Sequence, residues 1–416
     1  MTSYKRALPW VVWLLASVFY AYQYILRILP SISIDEIMHR FNIDATVFGQ
    51  YSGVYYLGYA GMHIPLGIML DRIGPKKVLP VSIVAVVVGL MPMVYSDSWE
   101  LACLGRFMIG AGSSAAILGV FKIIRMTFSQ ERFGRMLGIS VTIGLVGAIY
   151  GSQPLNYQLE IIGYEHMLHV IMFTGVLLAL FIYIMVPSEK ENIVLSKSVW
   201  SDVKNLLKAP NVLVICFLSG LLVGPLDGFA DVWGASYLMV AYGFEKSMAA
   251  SLPSLIFFGM GVGSPLLAVV AEKTGRYYEV IIACAAMMAL TFIMLLFGKI
   301  QSGTMGALFF LTGIACAYQI LSIYKASTYV SESLVGLTTA TVNMVIMAFG
   351  YMFHSSIGKV MEATWDGTIV DGIHVYSAKS YTLGLAIIPI ALIVGGIGFT
   401  LIHFRSKKPS SRKLNL

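Results

Sequence analysis

Gly67-Ile68-Met69-Leu70-Asp71-Arg72-Ile73-Gly74-Pro75-Lys76-Lys77 is a short charged turn set between two long apolar runs, and its reading decides the fold. Gly67 lets a helix end approach a neighbour closely. Asp71 suits the positive N-terminus of an adjacent helix. Gly74-Pro75 stops the helix, and the basic residues that follow belong on the cytoplasmic face of a membrane. Each flanking run is long enough to cross a hydrocarbon core of about 30 Å.

The rest of the chain repeats that pattern. Of its 416 residues 58% are hydrophobic and 12% charged, with a mean hydropathy of +0.80, which excludes a soluble globular domain. Twelve apolar runs are read at roughly 9 to 31, 46 to 70, 78 to 95, 99 to 126, 136 to 159, 166 to 186, 211 to 240, 247 to 271, 278 to 298, 304 to 328, 336 to 361 and 381 to 404. The first has no small-residue cleavage site behind it and holds Arg27, so it reads as a retained helix. With both termini cytoplasmic, 19 Lys and Arg fall in inner loops and tails, against Arg40, Lys246, Lys299 and Lys379 outside. That asymmetry sets the topology. The net charge of +7 is therefore membrane orientation and not nucleic-acid affinity.

The turn resembles G-x-x-x-D-R-x-G-R/P-K/R-K/R, the signature that joins the second and third helices of the major facilitator superfamily. Leu104-Gly105-Arg106-Phe107-Met108-Ile109-Gly110 on predicted helix 4 resembles a second signature, an intramembrane Arg followed at i+4 by Gly. A weaker copy of the turn, Glu272-Lys273-Thr274-Gly275-Arg276, stands in the second half (272 − 71 = 201), and Phe121-Lys122 is matched by Tyr324-Lys325 (325 − 122 = 203). Two nearly equal offsets indicate a duplicated six-helix unit. The fold expected is an all-α integral membrane protein, twelve transmembrane helices in two pseudo-symmetric six-helix bundles. Residues 1–187 form the first bundle, 188–210 a cytoplasmic linker with an amphipathic helix over KSVWSDVKNLLK, 211–404 the second bundle and 405–416 a basic tail that suits anionic lipid.

Charges inside a bilayer are costly and normally face a cavity or a partner. Arg27 on helix 1 and Asp227 on helix 7 lie at similar depth, and Asp231 shares the face of Asp227 at i+4. A pair between Arg27 and either carboxylate reads as an outer gate, a substrate site or a static structural bridge. Arg106 is the other deep cation. Lys122 and Lys325 either snorkel to the inner interface or face the cavity as a pair of cations, the second account drawing on Tyr318, Ser322 and Lys325 sharing a face of helix 10. Tyr24, Tyr55, Tyr59, Gln153, Asn156 and Asn343 are the polar residues able to complete a site. The excess of cations points to an anion or the carboxylate of a zwitterion. No Asp or Glu lies deep in helices 1 to 6, so any proton coupling falls to Asp227 or Asp231.

The resemblance implies rocking of two halves about a midplane site. Gly67, Asp71, Arg72, Gly74 and Lys76, with Glu272 and Lys273, would then gate the cytoplasmic side, Asp71 docking at the start of helix 11 near Ser333 to Gly336. Tyr22 to Ser31 (YQYILRILPS) and Tyr55 to Tyr59 (YYLGY) resemble bacterial facilitators placed near the lysosomal dipeptide transporter group, which implies small organic anions, amino acids or short peptides. The amino-terminal acidic residues that group uses for a peptide amine have no counterpart here. The alternative within transport is drug efflux by proton antiport. Its helix 5 motif G-x-x-x-G-P-x-x-G-G is only partly kept in Gly147-Ala148-Ile149-Tyr150-Gly151-Ser152-Gln153-Pro154. A transporter-fold receptor without flux is the alternative of another class.

No catalytic pair appears, and the glycine strings Gly110 to Gly112 and Gly259 to Gly263 read as helix-packing surfaces, not phosphate loops. Cys103, Cys216, Cys284 and Cys316 sit singly in different helices, so neither disulfide nor metal is expected. No cofactor is expected, and the partners are a small-molecule substrate and lipid, with the protein a monomer in a bacterial inner membrane.

Overall fold

The structure, a computed structural model, describes residues 2–129, 132–188, 204–206, 208–331, 334–370 and 372–407. Its helices are α1 (Thr2–Ile32), α2 (Ala45–Arg72), α3 (Pro75–Leu90), α4 (Trp99–Thr127), α5 (Phe133–Tyr150 and Gln153–Ile162) and α6 (Tyr164–Met185). The second set is α7 (Pro210–Tyr242), α8 (Lys246–Thr274), α9 (Tyr277–Phe297), α10 (Ser302–Ser327), α11 (Val335–Ala363) and α12 (Ala378–Arg405). Among the described residues ten helices are long and apolar enough to cross a membrane, and the two parts of α5, bent by 42°, make an eleventh. The remaining one, α2, has 28 residues and is about 42 Å long at 1.5 Å per residue. Its tyrosines, Gln50 and His63 lower its hydropathy because most of them meet protein rather than lipid. Large apolar side chains such as Val81, Phe173, Phe217 and Ile397 are exposed around the outside, the belt a bilayer covers.

The duplication is visible in the backbone. Gly74, which starts α3, and Gly275, which ends α8, both take positive φ, 87° and 67°, and stand 275 − 74 = 201 residues apart. A Cβ is disfavoured there, so each turn needs its glycine. The helical run of α4 breaks after Ser113 and that of α10 after Cys316, again at corresponding places.

One end of the bundle carries both described chain ends and the Asp71 turn; it is called here the terminus side, and the opposite end the far side. On the far side α2 and α11 touch closely. A Cβ at Gly358 would overlap the Ala45 carbonyl oxygen, one at Gly49 the His354 carbonyl oxygen, and one at Gly53 would lie 2.8 Å from the Tyr351 ring. The glycine strings named above do the same within each half: Gly110 meets the Tyr55 carbonyl and Gly259 that of Phe310. Towards the terminus side the two halves separate. A Cβ at Gly61 or Gly336 would meet nothing within 4 Å, and a cavity of about 480 Å³ opens between Arg135 to Thr142 on α5 and Gly261 to Pro265 on α8.

Three local details go beyond the sequence reading. The outer loop at 32–45 contains a short helix, Ile34–Phe41, because Asp35 and Glu36 in its first turn and His39 and Arg40 in its last complement the helix dipole. The loop between α11 and α12 forms a short hairpin, β1 (Ile369–Val370) paired antiparallel with β2 (Ile373–His374). Gly372 in its turn has φ 83°. Helix α7 is not one regular span, since Gly224–Trp233 is π-helical. The amphipathic linker segment falls almost wholly outside the described residues.

Candidate functional site

The centre of the site is Arg27, 4% exposed, on α1. Its Nε donates to Asp231 Oδ2 at 2.5 Å, and its Nη2 pairs with Asp227 Oδ1. Both carboxylates are fully buried on the π-helical turn of α7. A π turn advances more residues per hydrogen-bonded ring than an α turn and often marks a functional position. Here it holds two carboxylates, four residues apart, against one guanidinium. The cluster thus joins α1 of the first half to α7 of the second.

Four neighbours complete it. Tyr56 on α2 donates its hydroxyl to Asp231 Oδ2, and its ring lies 5.3 Å from the Arg27 guanidinium, with Tyr24 at 5.4 Å on the same group. His354 on α11 lies with Nε2 2.5 Å from the Asp227 carbonyl oxygen; a carbonyl only accepts, so that nitrogen carries the proton. Arg106, 2% exposed, donates to the carbonyls of Leu26 at 2.8 Å and Arg27 at 3.1 Å and stands 4.9 Å over the Tyr55 ring. It therefore fixes the end of α1 that presents Arg27. Two arginines and two aspartates balance, so this buried group carries no net charge.

On the terminus side of the cluster runs a polar row. Tyr55 donates to Gln23 Oε1 at 2.7 Å, Tyr59 stacks on His63 with centroids 5.4 Å apart, and His63 Nε2 faces Asn343 Nδ2 at 3.5 Å. Tyr20 and Tyr24 approach hydroxyl to hydroxyl at 3.5 Å. These residues come from α1, α2 and α11, hence from both halves.

The structure thus brings together Tyr24, Arg27, Tyr55, Tyr59, Arg106, Asp227, Asp231 and Asn343, and leaves other expected members apart. Lys122 and Lys325 contact different partners. Lys122 bonds Asp71 at 3.4 Å at the membrane edge, and Lys325 Nζ lies 4.9 Å from the Tyr278 ring on α9. Tyr318 ties α10 to α7 by donating to the Ser219 carbonyl at 2.6 Å, so its hydroxyl is spent on packing. Gln153 bonds Ser247 at 3.1 Å between α5 and α8, and Asn156 bonds Glu160 on its own helix at 2.9 Å. Arg27 is matched by two carboxylates and Arg106 by carbonyls, so both deep guanidiniums have partners.

The residues expected to form a gate lie at the terminus side. Asp71 is 77% exposed and pairs with Lys122; Ser333, in the expected docking segment before α11, is outside the described residues. Arg72, Glu272 and Lys273 are exposed. Lys76 lies 5.7 Å over the Tyr183 ring, a Cβ at Gly67 would meet Leu118 at 3.9 Å, and Gly74 makes the turn. Two members of the cluster, Tyr56 and His354, were not singled out from sequence as site residues. A histidine inside an apolar run was the available signal for His354; nothing distinguished Tyr56 from its neighbours on α2.

A helical membrane protein whose two halves meet around a buried, charge-balanced polar centre, closed at one end and open at the other, is built for transport. The chain belongs to the Major Facilitator Superfamily, whose model matches residues 12–355. It is similar to a solved bacterial homologue of the human lysosomal transporter Spinster, inward-facing and unoccupied, with a TM-score of 0.77 and 16% identity over 95% of this chain and 96% of that one. It is also similar to the nucleoside transporter NupG, with a TM-score of 0.74 and 15% identity over 95% and 99%. Identities so low speak for the fold alone. Among curated relatives it is 21% identical over 309 residues to the probable galactarate/D-glucarate transporter GudP of Bacillus subtilis, 66% of this chain and 67% of that protein. It is 32% identical over 87 residues to the multidrug resistance protein MdtG of Salmonella arizonae, a match spanning 21% of either chain.

Proposed function

We propose that this protein is a secondary transporter of small organic anions, sugar acids among them, with its terminus side in the cytoplasm of a bacterial cell. The observation that carries the reading is the single guanidinium of Arg27 shared by Asp227 and Asp231 across the two halves. In the described conformation that cluster, with the α2–α11 glycine contacts, closes the far side. A carboxylate arriving along the polar row from Tyr59 and His63 competes with one aspartate for Arg27. The displaced aspartate takes up a proton, which keeps the buried group neutral, since an unpaired charge there is costly. Loss of one bridge loosens α1 from α7 and lets the halves rock. Anion and proton then move together. The likeness to GudP supports a sugar acid as cargo, a dicarboxylate carrying a second proton on its other carboxyl group so that the charge count stays neutral.

Efflux of lipophilic compounds is the second reading, favoured by the short match to MdtG and by the aromatic wall of Tyr20, Tyr24 and Phe257. Thermal stabilisation of the purified protein separates the two, because a ligand that binds the folded state raises its stability by mass action. A panel of sugar acids, amino acids, neutral sugars and lipophilic cations is tested on the wild type and on Arg27→Ala. Stabilisation by a carboxylate that disappears in Arg27→Ala supports the anion reading. Stabilisation by lipophilic cations alone overturns it.

A further inference from the structure

The hairpin between α11 and α12 is fastened to its own half at several points. The Trp365 indole N–H donates to the carbonyls of Thr368 at 3.0 Å and Val375 at 3.2 Å. Its ring stacks 3.6 Å from His374, and His374 Nδ1 lies 3.1 Å from Glu362 at the end of α11. These contacts set the path of the segment after β2, and with it the position of Tyr376, which is 5% exposed. A buried tyrosine with only two rotatable bonds, on so constrained a backbone, delivers its hydroxyl to one place.

That place is the start of a helix in the other half. The Tyr376 hydroxyl accepts the Ala45 N–H at 2.8 Å and donates to Glu362. Ala45 is the first residue of α2, and the N–H groups of a first helical turn have no partner within their helix. Asp44, the N-cap, satisfies that of Val47. The second half thus supplies an acceptor for an orphan donor of the first, and places a carboxylate near the positive end of α2. Ala45 is fully buried, with its carbonyl against Gly358 of α11. Opening the far side parts Ala45 from Gly358 and takes its N–H away from Tyr376 in the same movement.

We propose that Tyr376 is the latch of the far-side gate: its hydroxyl, positioned by Glu362 and the hairpin, holds the start of α2 against α11 and releases it when the halves rock open. This rests on the rocking proposed above and adds to it a contact at the outer edge, remote from the Arg27 cluster. On release the Ala45 N–H turns to water, as helix ends commonly do, while the Tyr376–Glu362 bond stays within its own half.

The test is the rate at which a membrane-impermeant maleimide labels a cysteine replacing Ser52, in the full-length protein in right-side-out membrane vesicles, measured above the labelling of the parent. Ser52 is fully buried and follows Ala45 by seven residues, so it shares the face of α2 that the latch holds down. Tyr376→Phe should raise the rate about two- to tenfold, the effect of one hydrogen bond lost from the closed arrangement alone. Tyr95→Phe loses a 2.7 Å bond to His169 at the same end but within the first half, and should leave the rate unchanged. Ala45→Pro removes the same donor from the other side, at a first helical position that tolerates proline and after Asp44, whose ψ of 176° is extended as a residue before proline prefers. It carries the test, with the same rise expected, should Tyr376→Phe fail to fold. Arg27→Ala, run in parallel, should raise the rate through the central bridge. A rise in Arg27→Ala with none in the latch variant, or an equal rise in Tyr95→Phe, overturns the latch and leaves the rocking in place. No rise in either Arg27→Ala or the latch variant overturns both.

Discussion

Arg27 and Asp231 meet at 2.5 Å although 204 residues separate them, and Asp227, on the other side of the same guanidinium, is 200 residues away. The repeat offset of 201 to 203 puts the counterpart of Arg27 between those two aspartates. Residues related by a pseudo-twofold axis touch only where they approach that axis. The bridge therefore sits near the axis that relates the two halves, and in the proposed mechanism a change of partner at Arg27 acts on their relative rotation.

Removing one member of so buried a cluster leaves an uncompensated charge. Arg27→Ala should cost about 3–5 kcal/mol and expose the far side, read as a fall in melting temperature together with faster labelling of a cysteine replacing the buried Ser52 on α2. A stability within about 1 kcal/mol of wild type would show that the bridge contributes little.

Tyr56→Phe deletes the hydroxyl that donates to Asp231 and nothing else. The lost hydrogen bond to a charged group should cost about 1.5–3 kcal/mol, seen in thermal or denaturant unfolding. Tyr20→Phe, whose hydroxyl makes only a 3.5 Å contact with Tyr24, should change stability much less.

Gly358→Leu tests the closure of the far side without touching a charge. The added carbons meet the Ala45 backbone, which cannot give way as a flexible side chain can. Spin-label or cysteine cross-linking distances between the far ends of α2 and α11 should lengthen in this variant and stay constant in Gly61→Ala, where a Cβ has open space.

The charged turn should behave in the opposite way to the core. Asp71 and Lys122 form an exposed pair, and such pairs contribute about 0–1 kcal/mol. Asp71→Asn should leave the melting temperature nearly unchanged while altering how often the terminus side closes, measured as labelling at a cysteine replacing Gly336.

The parts of this fold written in short motifs were legible in the sequence. The 67–77 turn, its copy at 272–276 and the distribution of Lys and Arg define the helix order and the repeat, and the depth of Arg27, Asp227 and Asp231 was readable by counting residues from the helix ends. What was not legible depends on helix rotation. Tyr51, Tyr55, Tyr56 and Tyr59 all lie on α2, and only the packing against α4 and α11 decides that Tyr56 meets Asp231 while Tyr55 meets Gln23. The same holds for Lys122 and Lys325, whose long side chains reach sideways to Asp71 and Tyr278. Gly224, Pro225, Gly228 and Gly234 mark an irregular α7 in retrospect; the π turn they permit needs the opposing guanidinium to hold its carboxylates.

Uptake of radiolabelled D-glucarate and related sugar acids into proteoliposomes with an imposed pH gradient tests the central claim most directly, with Arg27→Ala and Asp227→Asn run in parallel. The account predicts that at least one carboxylate accumulates in a pH-dependent manner, that Arg27→Ala abolishes the uptake, and that Asp227→Asn removes its dependence on the gradient. Carboxylate uptake of equal rate in Arg27→Ala, or transport confined to neutral or cationic compounds, would contradict it.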